Sequence, residues 1–346
     1  LILKPSSLGD VVQALPVLRL LKLHDPSSEI FWWLSTDLLP LLQGDPDLSG
    51  VVPFDRRRWA WPNRWTESAA AVRQMRRHEF DWVIDLQALA RSGLFSWLAH
   101  GKLTVGLDDP REGARGFYDL IVPRPSFHTH AVDWYLEVLR TLRVPVHWNF
   151  TWLPLRKEAA ADVLEKWKPR PGRWVALHPG ARWPNKRWPA DYYRELVRQL
   201  TQTHPDVQIA ILGSSADTPL GAIVSQGSPG RCLDLTGKTS LPEAIEWIRL
   251  CDVMVTNDTG PMHIAAALRK PLVAIFGPTE PRRTGPYDQL ARSIQRQLPC
   301  VPCLKSTCSN NRPLECLQTI SPSAILAQVQ QRLAGGAGHH NPAVSG

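Results

Sequence analysis

The stretch DVMVTNDTGPMHIAAAL, from Asp252 to Leu268, constrains the chain more than any other. A short apolar run, Val253 to Val255, stops at Asn257, Asp258, Thr259 and Gly260, and an apolar pattern of helical spacing then begins near Pro261 or Met262. The stretch reads as strand, loop and helix. Parallel strands need a crossover between them, usually a helix, so strand–loop–helix repeated along a chain predicts an α/β fold.

The pattern recurs in both halves. In the first half LILK and EIFWWLS read as strands, Val11 to Leu23 as a helix, Ala69 to His78 as a further helix, and DWVIDLQ as a third strand. In the second half RWVALHPG, VQIAILGSS and PLVAIFGPT read as strands that end in glycine-bearing loops. PADYYRELVRQLTQ reads as a helix with Pro189 at its start. SLPEAIEWIRLC carries a capping box, Ser240 followed three residues on by Glu243. Between the halves, RVPVHWNFTWLPLRKEAA (Arg143 to Ala160) breaks the periodicity and reads as a connection. The expected domains are 1–150 and 151–320, each Rossmann-like, with a helix over 321–335 and a disordered tail over 336–346.

Composition narrows the function. With 346 residues the chain is long enough for two cored domains, and it contains no apolar run long enough to span a membrane. The start of the sequence has no basic segment leading into a long apolar one, so a cytoplasmic protein is expected. The net charge of +8 favours acidic partners, while the absence of nucleic-acid motifs argues against DNA or RNA. The charge is concentrated: Arg56, Arg57, Arg58, Arg64, Arg73, Arg76 and Arg77 face only Asp55 and Glu67 over that stretch. Of fifteen tryptophans, Trp59, Trp61, Trp65, Trp183 and Trp188 flank Arg or Pro, which suggests surface or cleft use as well as core filling.

In an open α/β sheet, ligands bind beyond the carboxyl ends of the strands. The loop Asp258–Thr259–Gly260 leads into a helix whose first turn offers unpaired N–H groups, a site suited to a diphosphate; the competing reading is a simple helix cap. HPGARWPNKRWP (His178 to Pro189) brings Gly180, Ala181 and the cation Lys186 to a second such loop. Asp217, after the strand VQIAI, is placed to hold a ribose hydroxyl or to cap a helix. Neither GxxxxGK[ST] nor GxGxxG occurs, which argues against a P-loop and against a dinucleotide dehydrogenase. The opening KPSSLGDVVQALPVL sets Asp10 where the first helix begins, again as a cap or as a reactive carboxylate. Cys300, Cys303, Cys308 and Cys316 have the density of a structural zinc site, against the alternative of reduced, partly packed thiols; no metal is assigned. Cys232 and Cys251 read as buried thiols.

Five segments in order, KPSSLGDVVQALPVL, DLQALARSG, HPGARWPNKRWP, NDTGPMHIAAAL and FGPTEP, resemble the ADP-heptose:lipopolysaccharide heptosyltransferases of glycosyltransferase family 9. The donor loop and the cysteine run are nearer the heptosyltransferase II branch. The resemblance covers nearly the whole chain. It implies the GT-B fold, two Rossmann-like domains facing a cleft with the last helix crossing back to the first domain, and inverting transfer without a cofactor or metal. It further implies Asp10 as catalytic base and Lys186 as the cation at the leaving diphosphate. Donor contacts would come from Gly9, Gly180, Ala181, Asp217, Asp258, Thr259, Gly260 and His263. Acceptor contacts would come from Ser7, Arg56, Arg57, Arg58, Arg91 and Arg111, with Gly9 allowing a tight turn. The implied partners are ADP-heptose, an anionic lipid-linked oligosaccharide and the inner face of the membrane. Two enzymatic alternatives remain open: another nucleotide sugar or acceptor, and a nucleotide-sugar epimerase. A third is a non-catalytic assembly partner.

Overall fold

Strand pairing sorts the chain into two parallel sheets of six strands each. The computed structural model describes residues 1–55 and 65–335; the expectations for Arg56, Arg57, Arg58, Trp59, Trp61 and the 336–346 tail lie outside them. Contacts divide the chain into Leu1–Pro154 and Leu155–Gly346, close to the boundary read from the Pro- and aromatic-rich stretch.

The first sheet comprises β1 (Ile2–Leu3), β2 (Phe31–Ser35), β3 (Gly50–Phe54), β4 (Trp82–Asp85), β5 (Leu103–Leu107) and β6 (Leu120–Val122). Its order is β3-β2-β1-β4-β5-β6. The helices of this unit are α1 (Leu8–His24), α2 (Leu39–Leu42), α3 (Trp65–Arg76), α4 (Ala90–Leu98) and α5 (Ala131–Thr141). The second sheet comprises β7 (Arg173–His178), β8 (Val207–Ile211), β9 (Cys232–Asp234), β10 (Val253–Asn257), β11 (Leu272–Phe276) and β12 (Ser293–Gln295), in the order β12-β11-β10-β7-β8-β9. Its helices are α6 (Lys157–Trp167), α7 (Ala190–Thr203), α8 (Thr218–Ser225), α9 (Leu241–Leu250), α10 (Gly260–Ala267), α11 (Pro281–Thr284), α12 (Glu315–Gln318) and α13 (Pro322–Gly335).

Renumbered from its own first strand, each sheet has the doubly wound order 3-2-1-4-5-6. The order reverses between β1 and β4 in one unit and between β7 and β10 in the other. At these points the crossovers on either side run to opposite faces, so the loops after those strands diverge and leave a crevice. The segments that carry Asp10, Arg91, Lys186 and Asp258 follow β1, β4, β7 and β10 in turn, whereas the Asp217 loop follows the neighbouring strand β8.

Helix α1 shows how tertiary contacts complete a helix that its sequence interrupts. Pro16 lies inside it and has no N–H for the carbonyl of Val12. The indole Nε1 of Trp152, from the connecting stretch, donates to that carbonyl at 2.7 Å. On the same helix Arg19 is buried, and its guanidinium grips both oxygens of Asp45 at 2.6 Å and one of Asp47 at 2.7 Å. The bidentate geometry is what makes a buried charge tolerable there.

In the second unit the capping box at Ser240 and Glu243 forms as the sequence predicts, with Ser240 N donating to Glu243 at 2.6 Å. Trp188, for which surface, cleft and core were all open, is 1% exposed and belongs to the core. Its Nε1 donates to the Ile320 carbonyl at 2.9 Å, so the ring is buried with its polar edge satisfied. The last helix, expected to cross back to the first domain, sets Ile325, Val329 and Leu333 into the core of the second unit. Arg332 of the same helix donates to the Leu272 carbonyl at 2.7 Å. No helix among the described residues is long and apolar enough to cross a membrane.

Candidate active site

In the first unit, β1 ends at Leu3 and the chain turns through Lys4, Pro5 and Ser6 before Ser7 starts α1. The amide and the hydroxyl of Ser7 both donate to Asp10 Oδ2, at 2.9 and 2.6 Å. Asp10 is therefore the acidic member of a cap, which is one of the two readings its position allowed. The same bonds fix the carboxylate at the carboxyl end of the central strand, where it is half-buried rather than sealed in the core. Gly9 does not make the tight turn expected of it. It lies in the first turn of α1, because the helix starts one residue earlier, at Leu8.

Beneath this turn Lys4 is buried, with its ammonium donating to the Leu86 carbonyl at 2.9 Å and lying 5.0 Å from the centre of the Tyr135 ring. Burial works to lower its pKa, but Tyr135, Asp10 and Asp85 outweigh it and hold the ammonium above the usual lysine range. Asp85, at the end of β4, is fully buried. Gln87 N and Ala88 N donate to one of its oxygens and the Tyr118 hydroxyl to the other, at 2.8, 3.1 and 2.8 Å. Burial raises its pKa despite these donors. Tyr118 reaches it across Gly106 of β5, where any Cβ would collide with the phenol ring.

A cavity of about 390 Å³ opens beside the β1 and β4 loops, lined by Ser6, Trp33, Phe54, Gln87, Arg91 and Glu112 among others. Arg91, from the first turn of α4, lies 5.8 Å from the centre of the Phe54 ring. Aromatic walls with a cation and hydrogen-bonding groups suit a sugar bearing negative charge. Arg111 is not among the lining residues; its guanidinium pairs with Asp109, with Nε 2.9 Å from each carboxylate oxygen.

In the second unit, the loops after β7 and β10 are tied together. Lys186, at the end of the short turn Pro184–Lys186, places Nζ 2.6 Å from Asp258 Oδ2 and 4.9 Å from the centre of the Trp183 ring. The Thr279 hydroxyl, from the loop after β11, donates to the same carboxylate oxygen at 2.6 Å. A carboxylate is a poor neighbour for a diphosphate, so the position of Asp258 is explained by the cation it holds. Thr259 is the N-cap of α10 but makes no side-chain cap bond; its hydroxyl turns back to the Asn257 carbonyl at 3.4 Å. Gly260 is the first residue of that helix, and His263 is 8% exposed on it.

Asp217 forms the cap of its loop: Ser214 N and Oγ donate to Oδ2 at 2.9 and 2.7 Å. Its carboxylate packs on the β7 loop so closely that a Cβ at Gly180 would stand 2.5 Å from Asp217 Cγ. Gly180 is thus required by Asp217. Ala181 follows it and is buried.

The residue that organises this site is one the sequence did not single out. Asn257, the last residue of β10, is fully buried. Its Oδ1 accepts from Trp188 N at 3.0 Å and from the Tyr193 hydroxyl at 3.3 Å. Its Nδ2 donates to the carbonyls of Pro179 and Gly180 at 2.9 and 3.2 Å. A buried Asn at the end of an otherwise apolar strand was the available signal, since its four hydrogen-bonding positions must all be met by the fold.

Cys300, Cys303, Cys308 and Cys316 all line one small cavity with Asn185 and Glu315, and all are free thiols. Among the described residues, however, no three His, Cys, Asp or Glu side chains are grouped to hold a metal ion. Backbone N–H groups of Leu314 and Asn310 lower the Cys308 pKa, whereas burial, with the neighbouring thiols, raises that of Cys316. Asn185 Nδ2 donates to the Lys305 carbonyl at 2.8 Å, so this loop buttresses the turn that carries Lys186. Cys251 is buried as expected, while Cys232 is only half-buried.

Comparison with known proteins bears on this arrangement. The family model described as glycosyltransferase family 9 (heptosyltransferase) matches residues 69–313. Lipopolysaccharide heptosyltransferase 1 of Pseudomonas aeruginosa is 29% identical, covering 96% of this chain and 97% of that protein. Lipopolysaccharide heptosyltransferase 2 of Salmonella typhimurium is also 29% identical, over 85% of this chain and 87% of its own length. Among solved structures, Escherichia coli ADP-heptose lipopolysaccharide heptosyltransferase II matches with a TM-score of 0.76 at 24% identity, covering 96% of this chain and 98% of that one. A glycosyltransferase family 9 structure from Veillonella parvula matches with a TM-score of 0.81 at 22% identity, covering 96% of each. The fold is thus that of the GT-B heptosyltransferases.

Proposed function

The chain belongs to glycosyltransferase family 9, the heptosyltransferase family, and on that premise we propose that it moves heptose from an ADP-sugar to the anionic inner core of lipopolysaccharide, with inversion at the anomeric carbon. Inversion in one displacement needs a base for the acceptor hydroxyl and stabilisation of the departing diphosphate; it needs no covalent intermediate. Asp10 is the base. Its two bonds from Ser7 orient the carboxylate without removing it to the core. Lys186, held by Asp258, whose carboxylate also accepts from Thr279, and the N–H groups at the start of α10 meet the charge that develops on the leaving ADP. A fixed cation with a helix N-terminus supplies that charge without a metal ion. The cavity lined by Arg91, Trp33 and Phe54 takes the acceptor sugar, and the lipid end of the acceptor brings the enzyme to the membrane surface.

The observation that carries this reading is topological. Asp10, the one acid of the β1 loop, and Lys186 of the β7 loop each stand at the switch point of their own sheet, where a doubly wound fold binds ligands. The test is Asp10→Asn, which keeps an oxygen to accept from Ser7 and so preserves the cap. Acceptor-dependent ADP release should fall by about 10²–10⁴-fold, the usual contribution of a positioned base, while ADP binding stays unchanged. Turnover of ADP-heptose by the wild-type protein without acceptor would overturn transfer in favour of epimerisation, and an unimpaired Asp10→Asn enzyme would remove Asp10 as base.

A further inference from the structure

We propose that α4 and the end of α3 form the surface on which this protein lies against an anionic lipid bilayer, with Trp97 and Leu94 entering the headgroup region. The inference rests on the lipid-linked acceptor of the proposed function. One face of α4 is committed to the fold, with Ser92, Gly93, Phe95 and Ser96 buried. The other exposes two large apolar side chains, Leu94 at 40% and Trp97 at 54%. Such groups are costly to leave in water, and tryptophan in particular favours the membrane–water interface, where its ring is half in apolar and half in wet surroundings.

The surroundings of Trp97 select the kind of partner. Its ring lies 6.2 Å, centre to centre, from that of His100. His100 is in turn 2.9 Å from Arg76 Nη2, and Arg76 Nε donates to the Leu98 carbonyl at 2.8 Å, which docks the end of α3 on the end of α4. Arg73 and Arg77 are exposed on the same segment. Asp81 is paired with Lys102 at 2.7 Å, and among the described side chains of 69–81 the acids are Asp81 and Glu79, beside Arg73, Arg76 and Arg77. An exposed aromatic and a leucine beside a cluster of arginines match an anionic lipid surface better than a neutral protein face.

Placement relative to the acceptor cavity supports the same partner. Helix α4 begins at the rim of that cavity, where Leu89, Ala90, Arg91 and Ser92 line it. Trp97 is six residues beyond Arg91, or about 9 Å along the helix axis. An acceptor whose lipid stays in the bilayer must present its sugars within such a reach of the membrane. A surface that seats α4 in the headgroups brings the cavity to them.

The experiment is co-sedimentation of the full chain with vesicles in which one lipid in three is phosphatidylglycerol, against vesicles of phosphatidylcholine alone. The wild-type protein should prefer the anionic vesicles, and high salt should weaken that binding. The double variant Leu94→Ala, Trp97→Ala should bind about tenfold more weakly, and Arg73→Gln or Arg77→Gln about fivefold more weakly each. Thermal unfolding and turnover on an acceptor stripped of its lipid should be unchanged in all of them. Equal vesicle binding by variant and wild type overturns the proposal. So does loss of a self-associated species by the double variant in sedimentation velocity, because the face would then join two copies. If vesicle binding is lost as expected but no form of the protein transfers heptose, the surface stands and the transferase reading falls.

Discussion

Asn257→Ala tests the logic of the donor loops directly. The substitution removes the acceptor for the buried Trp188 N–H and both donors to the carbonyls of Pro179 and Gly180. The Tyr193 hydroxyl keeps its second partner, the His178 carbonyl at 3.2 Å, and is spared. One orphaned N–H costs about 2 kcal/mol and each under-satisfied carbonyl about 1 kcal/mol, for a total near 4 kcal/mol. In a unit of this size each kcal/mol shifts the unfolding midpoint by about 2–4 °C, so a fall of roughly 8–16 °C is expected in a thermal scan. The loops lose their tie to β10 at the same time, so titration calorimetry should show weaker ADP binding. Asn257→Asp separates the contributions. It keeps the acceptor for Trp188 but turns a carboxylate on two carbonyls, and it should destabilise at least as much as the alanine. If either variant melts with the wild type and binds ADP equally, Asn257 does not organise the site and the hydrogen-bond argument is wrong.

Two further outcomes follow from the same region. Gly180→Ala puts a methyl group against the Asp217 carboxylate, and overpacking of about 1–3 kcal/mol should appear in chemical denaturation, with the Ser214 cap broken as Asp217 moves. His178 is buried; burial lowers its pKa from the usual 6.5, and Asp217 and the Leu212 carbonyl only partly offset that. The unfolded chain therefore binds the proton more readily, so stability is full above about pH 6.5 and is lost as pH falls through the window below it. Denaturation midpoints measured between pH 7 and pH 5 should show this slope, and His178→Gln should flatten it.

The sequence by itself determined the α/β class, the central strands and the loops that carry the chemistry. Strands β1, β4, β7 and β10 are central and apolar, and their loops hold the Gly, Asp, Thr and Lys residues that such loops use. Less was legible at the sheet margins. Strands β3, β6, β9 and β12 lie at the sheet edges with faces only partly covered, and the last three are short, so their patterns merge with the flanking loops. Whether Trp188 served the surface or the core was open in the sequence because a flanking Arg and Pro describe only its neighbours in the chain, whereas the core it fills comes from β10 and the last helix.

Only the tertiary structure decided which groups work together. Lys186 and Asp258 are 72 residues apart, Trp152 and Val12 are 140 apart, and Tyr118 meets Asp85 only because Gly106 clears its path. Local propensity acts over a few residues and so sets strands, helices and caps. The pairing of distant strands sets the switch point, and a carboxylate capping its own helix becomes a candidate base only once that pairing places it at the end of the central strand.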